Sequence, residues 1–216
     1  MPLLVEGETN MHTDFWESSW QRIDEKRLME YAERKEQADP ILETLKSRKA
    51  QTVCDAGCGC GAYVRRLAQQ GFTVKGFDVS GRAVEIAEDL LEKSGLTAEL
   101  RAASVLKTGY PDNEFDAVVC RDVLDHIPKE EAKQAVRELC RITKPGGIIL
   151  LTLDGLDEEY QKEPHTVTEV TCDNATRSWH AEMTEIDASR VLVYETLYMW
   201  NPLDAKMYPL LADGDP

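Results

Sequence analysis

Asp55, Gly57, Gly59 and Gly61 form the densest chemical pattern in the chain, inside TVCDAGCGCGAYVRRL at positions 52–67. Thr52, Val53 and Cys54 suit a short buried strand, Asp55 falls where that strand ends, and residues 62–67 open a helical pattern. A glycine-dense turn between strand and helix lets a ligand approach bare backbone amides. Such turns open nucleotide-type pockets in parallel α/β sheets. Two ligand chemistries compete with an ordinary tight turn. Gly57, Gly59 and Ala62 satisfy G-x-G-x-x-A, a dinucleotide fingerprint that implies an NAD-dependent oxidoreductase. Asp55, two residues before the first glycine, favours a cationic ligand instead, because a carboxylate repels a pyrophosphate.

Two further positions extend the pattern. Asp78 ends the next strand, where an acid accepts both ribose hydroxyls of an adenosine ligand. Helix capping before residue 81 accounts equally well for Asp78 or Ser80. His126, in Leu124-Asp125-His126-Ile127-Pro128, is the best-placed titratable base, and Arg121 and Asp122 follow the fourth apolar strand. Arg121 fits a surface ion pair as readily as a ligand contact.

The elements that must hold these residues alternate from position 51 onward. Thr73–Phe77 reads as a second strand, and Gly81–Lys93 as a helix with Ala83, Val84, Ile86, Ala87, Leu90 and Leu91 at helical spacing. Ala98–Ala103 and Phe115–Cys120 are a third and fourth strand. Glu130–Ile142 is a helix, Lys144–Gly147 breaks it, and Ile148–Leu153 is a fifth strand. Near-continuous apolar strands separated by amphipathic helices predict a doubly wound, mostly parallel sheet covered on both faces.

Residues 1–50 predict a polar helical cap carrying Phe15, Trp16, Trp20 and Tyr31, with Asp39-Pro40 at a helix start. Residues 51–155 are the α/β core. Residues 156–216, which include His165 and His180, alternate polar and apolar residues at 166–171, 178–186 and 190–200 and predict antiparallel strands completing one domain.

Bulk properties narrow the function. The 216 residues suit one domain able to bury roughly 70% of its unfolded surface. Forty acidic against 25 basic residues give a net charge of −15, which argues against nucleic-acid backbones and anionic membranes as partners. Cys54, Cys120 and Cys140 lie in apolar patterns, and Cys58 and Cys60 match no zinc spacing, so no metal is expected. No signal peptide or 20-residue apolar span is visible. A reducing cytoplasmic setting fits best.

VCDAGCGCGAYVRRLA, VKGFDVS, EFDAVVCRDVLDHI and ITKPGGIILLT resemble, in order and spacing, four successive motifs of the class I S-adenosylmethionine (SAM)-dependent methyltransferase superfamily. D-x-G-x-G-x-G at Asp55–Gly61 resembles its first motif. The resemblance covers about residues 51–155 and implies a seven-stranded sheet with a reversed last strand. It implies SAM as cofactor and a small-molecule methyl acceptor with an O, N or S nucleophile.

Carried over by position, Asp55, Gly57 and Cys58 would hold the amino-acid end of SAM. Gly59 and Gly61 would give close backbone approach, and Asp78 with Val79 would bind the ribose. Ser104 stands where many relatives have the Asp that receives the adenine amino group, so adenine would rely on the backbone and on Val105 and Leu106. Arg121 would border the methionine moiety, and His126 is the candidate catalytic base. A SAM-binding interaction protein without catalysis is the non-enzymatic alternative.

Overall fold

The computed structural model describes residues 11–21, 39–127 and 129–154, with strand segments 168–169, 191–196, 198–201 and 206–209. Helix α1 (Met11–Trp20) and helix α2 (Pro40–Ser47) precede an alternating core. That core runs β1 (Thr52–Ala56), α3 (Ala62–Gln69), β2 (Thr73–Asp78), α4 (Gly81–Lys93), β3 (Glu99–Ala102) and β4 (Phe115–Arg121). A single 3-10 turn (Leu124–His126) leads to α5 (Lys129–Ile142) and β5 (Thr143–Asp154). Strands β6 (Thr168–Glu169), β7 (Val191–Thr196), β8 (Tyr198–Asn201) and β9 (Lys206–Pro209) follow.

The main sheet has the order β3-β2-β1-β4-β5-β7-β6, and its first five strands are all parallel. β7 also runs parallel to β5, with Ile149 opposite Val191. The expected reversal therefore lies one strand further out, where β6 pairs antiparallel with β7. β8 and β9 form a separate two-stranded antiparallel sheet rather than an extension of the main one. The expected strand at 178–186, and Tyr31, His165 and His180, lie outside the described residues.

Strand side chains alternate between two cores, as pleating requires. Cys54, Phe77, Val118, Cys120, Ile149 and Leu151 pack with Val136 and Leu139 of α5 on one face. Val53, Val74, Ala117, Val119, Ile148 and Leu150 pack on the other with Leu45 of α2 and Val64 and Leu67 of α3. Helix α2 is thus a component of the second core. Its start is fixed by Asp39, whose side chain accepts from the Leu42 N–H at 2.9 Å, with Pro40 in the first turn.

The Lys144-Pro145-Gly146-Gly147 stretch is a bulge inside β5 rather than a break before it. Phe115 pairs with Thr143 and Ala117 with Ile148, so residues 144–147 stand opposite Asp116 alone. Lys144 Nζ reaches Asp116 Oδ1 at 2.8 Å, while Asp116 Oδ2 accepts from the Gln51 and Thr52 amides at 2.9 and 2.8 Å. This one carboxylate ties the starts of β1, β4 and β5. It leaves their opposite, carboxyl ends to converge on the glycine turn.

Candidate functional site

The glycine turn is braced by the neighbouring strand end. Gly57 and Cys58 N–H both donate to Phe77 O, at 2.8 and 2.9 Å, and Gly61 N–H donates to Cys58 O at 2.9 Å. Gly59 N–H donates to Asp78 Oδ2 at 2.9 Å. Four amides of the turn are therefore committed to protein acceptors. A pyrophosphate needs free amides at such a turn, so this geometry disfavours the dinucleotide reading.

Protein atoms also crowd all three glycines. Gly57 has φ +75°, and a Cβ there would lie 2.2 Å from Val123 Cγ2. Gly61 has φ +77°, and a Cβ there would lie 2.6 Å from Ala87 Cβ and 2.9 Å from its Cα. Helix α4 thus makes a close approach at Gly61 on its Cβ side. At Gly59 the approach is made by the Trp20 ring, 3.0 Å from where a Cβ would stand.

Two buried acids flank the turn. Asp55, next to last in β1, is 2% exposed. Burial pushes its carboxyl up to about 7, against the nearby Arg121 guanidinium and with help from Asp78. The Asp55 carboxyl group accepts no hydrogen bond from any described residue. Asp78, also buried, is better served: Oδ1 accepts from Ser80 N–H at 3.0 Å and Oδ2 from Gly59 N–H. Burial still raises its pKa, while the amides of Ser80, Gly59 and Val79 pull it down. The helix cap is Ser80, whose Oγ accepts from Ala83 N–H at 3.1 Å. That frees Asp78 from capping.

Arg121 closes β4, and its guanidinium lies over the Tyr63 ring, 4.3 Å from the centroid. The Tyr63 hydroxyl donates to Asp39 at 3.2 Å, and Arg66 Nε meets the same carboxylate at 2.9 Å. Burial and the Asp39 charge raise the phenol's pKa and keep it a donor. Arg121 is thus a half-buried cation between Tyr63 and Asp55. Beside it, Asp122 has φ +54°, and its N–H and Oδ1 both bond Thr152 Oγ1, at 2.9 and 2.7 Å.

Ser104 and Val105 are placed differently. Ser104 Oγ accepts from Leu106 N–H at 3.1 Å, and its carbonyl accepts from Lys107 N–H at 3.0 Å. Its lone pairs are therefore partly used in its own turn. Val105 is buried in the core that holds Phe77 and Tyr110, with Leu106 against the same core. His126 ends the 3-10 turn with its ring edge-on to Trp16, centroids 5.0 Å apart.

The sequence reading missed Glu17, Trp20, Tyr63 and Asp39 as neighbours of the site. Glu17 Oε2 accepts from Ser80 Oγ at 2.6 Å and from Arg82 N–H at 3.3 Å. Only the aromatic cluster at 15–20 and the Asp39-Pro40 helix start signalled these contacts.

Residues 54–151 match the family described as a methyltransferase domain. A ubiquinone biosynthesis O-methyltransferase of Thiobacillus denitrificans is 33% identical over 113 residues, 51% of this chain and 47% of that protein. The methyltransferase GfsG of Streptomyces halstedii is 32% identical over 141 residues, 64% of this chain and 48% of that protein. The chain spans about half the length of the curated relatives it matches. The crystal structure of magnesium protoporphyrin IX methyltransferase from Synechocystis with bound SAM is 22% identical, with a TM-score of 0.47, covering 64% of this chain and 74% of that one. Over residues 54–151, just under half of its length, the chain is thus similar to the methyltransferase-domain family.

Proposed function

We propose that this chain binds SAM across the carboxyl ends of β1, β2 and β4 and catalyses methyl transfer to a small-molecule O, N or S nucleophile. The observation that carries the reading is Asp55, a buried carboxylate that no described donor satisfies. Such a group calls for a cationic partner, and the SAM ammonium supplies one. In this reading Arg121 faces the methionine carboxylate beside the Gly57-Cys58 turn. Asp78 and Val79 take the ribose, since the two Asp78 oxygens offer more lone pairs than the backbone amides around them occupy. Ser104 and Val105 border the adenine, Ser104 through its hydroxyl hydrogen.

SAM supplies an activated methyl group on a sulfonium. The chain's residues align the acceptor with that methyl and exclude water. For a hydroxyl acceptor, His126 would take the proton that the acceptor oxygen gives up on methylation. An amine or thiolate acceptor needs less help. Residues 1–50 would cap the cofactor, 51–155 hold it, and 156–216 shape the acceptor side.

The names of the curated relatives support a small-molecule acceptor. Among the described residues no helix is long and apolar enough to cross a membrane. The buried Cys54, Cys58 and Cys60, none of them in a disulfide, support a reducing, cytoplasmic compartment. Isothermal titration with SAM and S-adenosylhomocysteine tests the reading: micromolar binding of both is expected, and binding of neither overturns it. Binding without turnover across a broad acceptor screen would favour a non-catalytic SAM-binding protein.

A further inference from the structure

Asp78 is oriented by two backbone donors, and helix α1 braces both. Gly59 N–H holds Oδ2, and the Trp20 ring lies flush against Gly59. Ser80 N–H holds Oδ1, and Ser80 is 0% exposed. The Ser80 hydroxyl oxygen accepts from Ala83 N–H to cap α4, and its hydrogen goes to Glu17 Oε2 at 2.6 Å. Glu17 Oε2 also accepts the Arg82 N–H at 3.3 Å. Without Glu17, a buried hydroxyl hydrogen would be orphaned beside the residue that aims Asp78. Trp20 is itself packed among Cys60, Ala83 and Ile86, so α1 is seated on the turn and on α4 together.

We propose that α1 sets the ribose-binding geometry of Asp78 from outside the sheet, Glu17 acting through Ser80 and Trp20 through Gly59. Glu17 is then a positioning residue, and the inference rests on the reading of Asp78 as the ribose acceptor.

Titration of S-adenosylhomocysteine into the full chain tests it. Glu17→Ala should weaken binding about five- to tenfold, the scale of one lost buried hydrogen bond. Glu17→Gln should stay within about twofold of the parent, because one amide oxygen accepts both donors that Glu17 Oε2 accepts. In an Asp78→Asn background, Glu17→Ala should add no further loss, since the two act on one contact. Unchanged affinity in Glu17→Ala overturns the inference, and so does an equal loss in the Asp78→Asn background. If Glu17→Ala does not fold, Glu17→Asp, one methylene shorter, carries the same comparison. Failure of the parent chain to bind S-adenosylhomocysteine would instead overturn the assignment of the cofactor.

Discussion

Replacing Asp55 by Asn should stabilise the ligand-free protein, and more so at high pH. Asp55 moves from an ordinary 3.8 in the unfolded chain to about 7 when folded. The folded state therefore binds the proton more tightly, and the stability this contributes is complete below about pH 4. It is lost as pH rises through 7, where the carboxylate must ionise in a buried site. The span from 3.8 to about 7 corresponds to about 4 kcal/mol, of which about 2 kcal/mol develops between pH 5.5 and 8.5. Asparagine keeps the shape and never ionises. Urea unfolding of both proteins, followed by tryptophan fluorescence, should show the Asn variant's advantage growing by about 2 kcal/mol between those two pH values. Any fixed cost of the amide cancels in that difference. An advantage independent of pH would refute the argument, because it would mean that Asp55 ionises in the fold as freely as in the unfolded chain.

The same carboxylate should make ligand affinity depend on pH in the opposite sense. S-adenosylhomocysteine should bind about tenfold more tightly at pH 8 than at pH 6, read by titration calorimetry, as Asp55 ionises to meet its ammonium. Gly61→Ala should cost about 2–5 kcal/mol in urea unfolding, from left-handed strain plus the collision with Ala87. Gly71→Ala, with φ +87° but no atom within 4 Å of its Cβ, should cost only about 1 kcal/mol of strain, and equal costs at the two sites would remove the packing explanation. Cys54, Cys58 and Cys60 have thiols pushed up by burial, Cys60 to about 11. Peptide mass spectrometry after iodoacetamide treatment at pH 8 should find these three unmodified until urea unfolds the chain.

Much of the sheet was legible because its signals are local. Apolar runs at 52–56, 73–78 and 115–121, separated by helical periodicity, determine β1, β2 and β4 with little help from distant residues. Asp55 and Asp78 were legible for the same reason: each sits at the carboxyl end of such a run. Asp116 was not, since its grip on Gln51, Thr52 and Lys144 joins positions far apart in the chain. That grip is what turns the Lys144–Gly147 stretch from an apparent break into a bulge. The packing of Gly61 and Val105 was not legible for a related reason. A glycine or valine beside a pocket motif looks the same in sequence whether a ligand or a helix touches it, and here α4 and the Phe77 core do. Glu17 gave no signal beyond its place in the aromatic cluster, because an acidic residue on a short helix ordinarily faces water.

Helix α1 has a consequence for the order of assembly. Its residues leave the ribosome before their described partners, of which His126 follows roughly a hundred residues later. At about 5–20 residues per second, that delay is about 5–20 s. An isolated helix of this length is marginal in water, so α1 gains its seat only after the β1–α3 turn and the start of α4 exist to receive Trp20 and Glu17. The Asp78 carboxylate is therefore aimed only once the start of α4 has emerged, well after the helix that braces it.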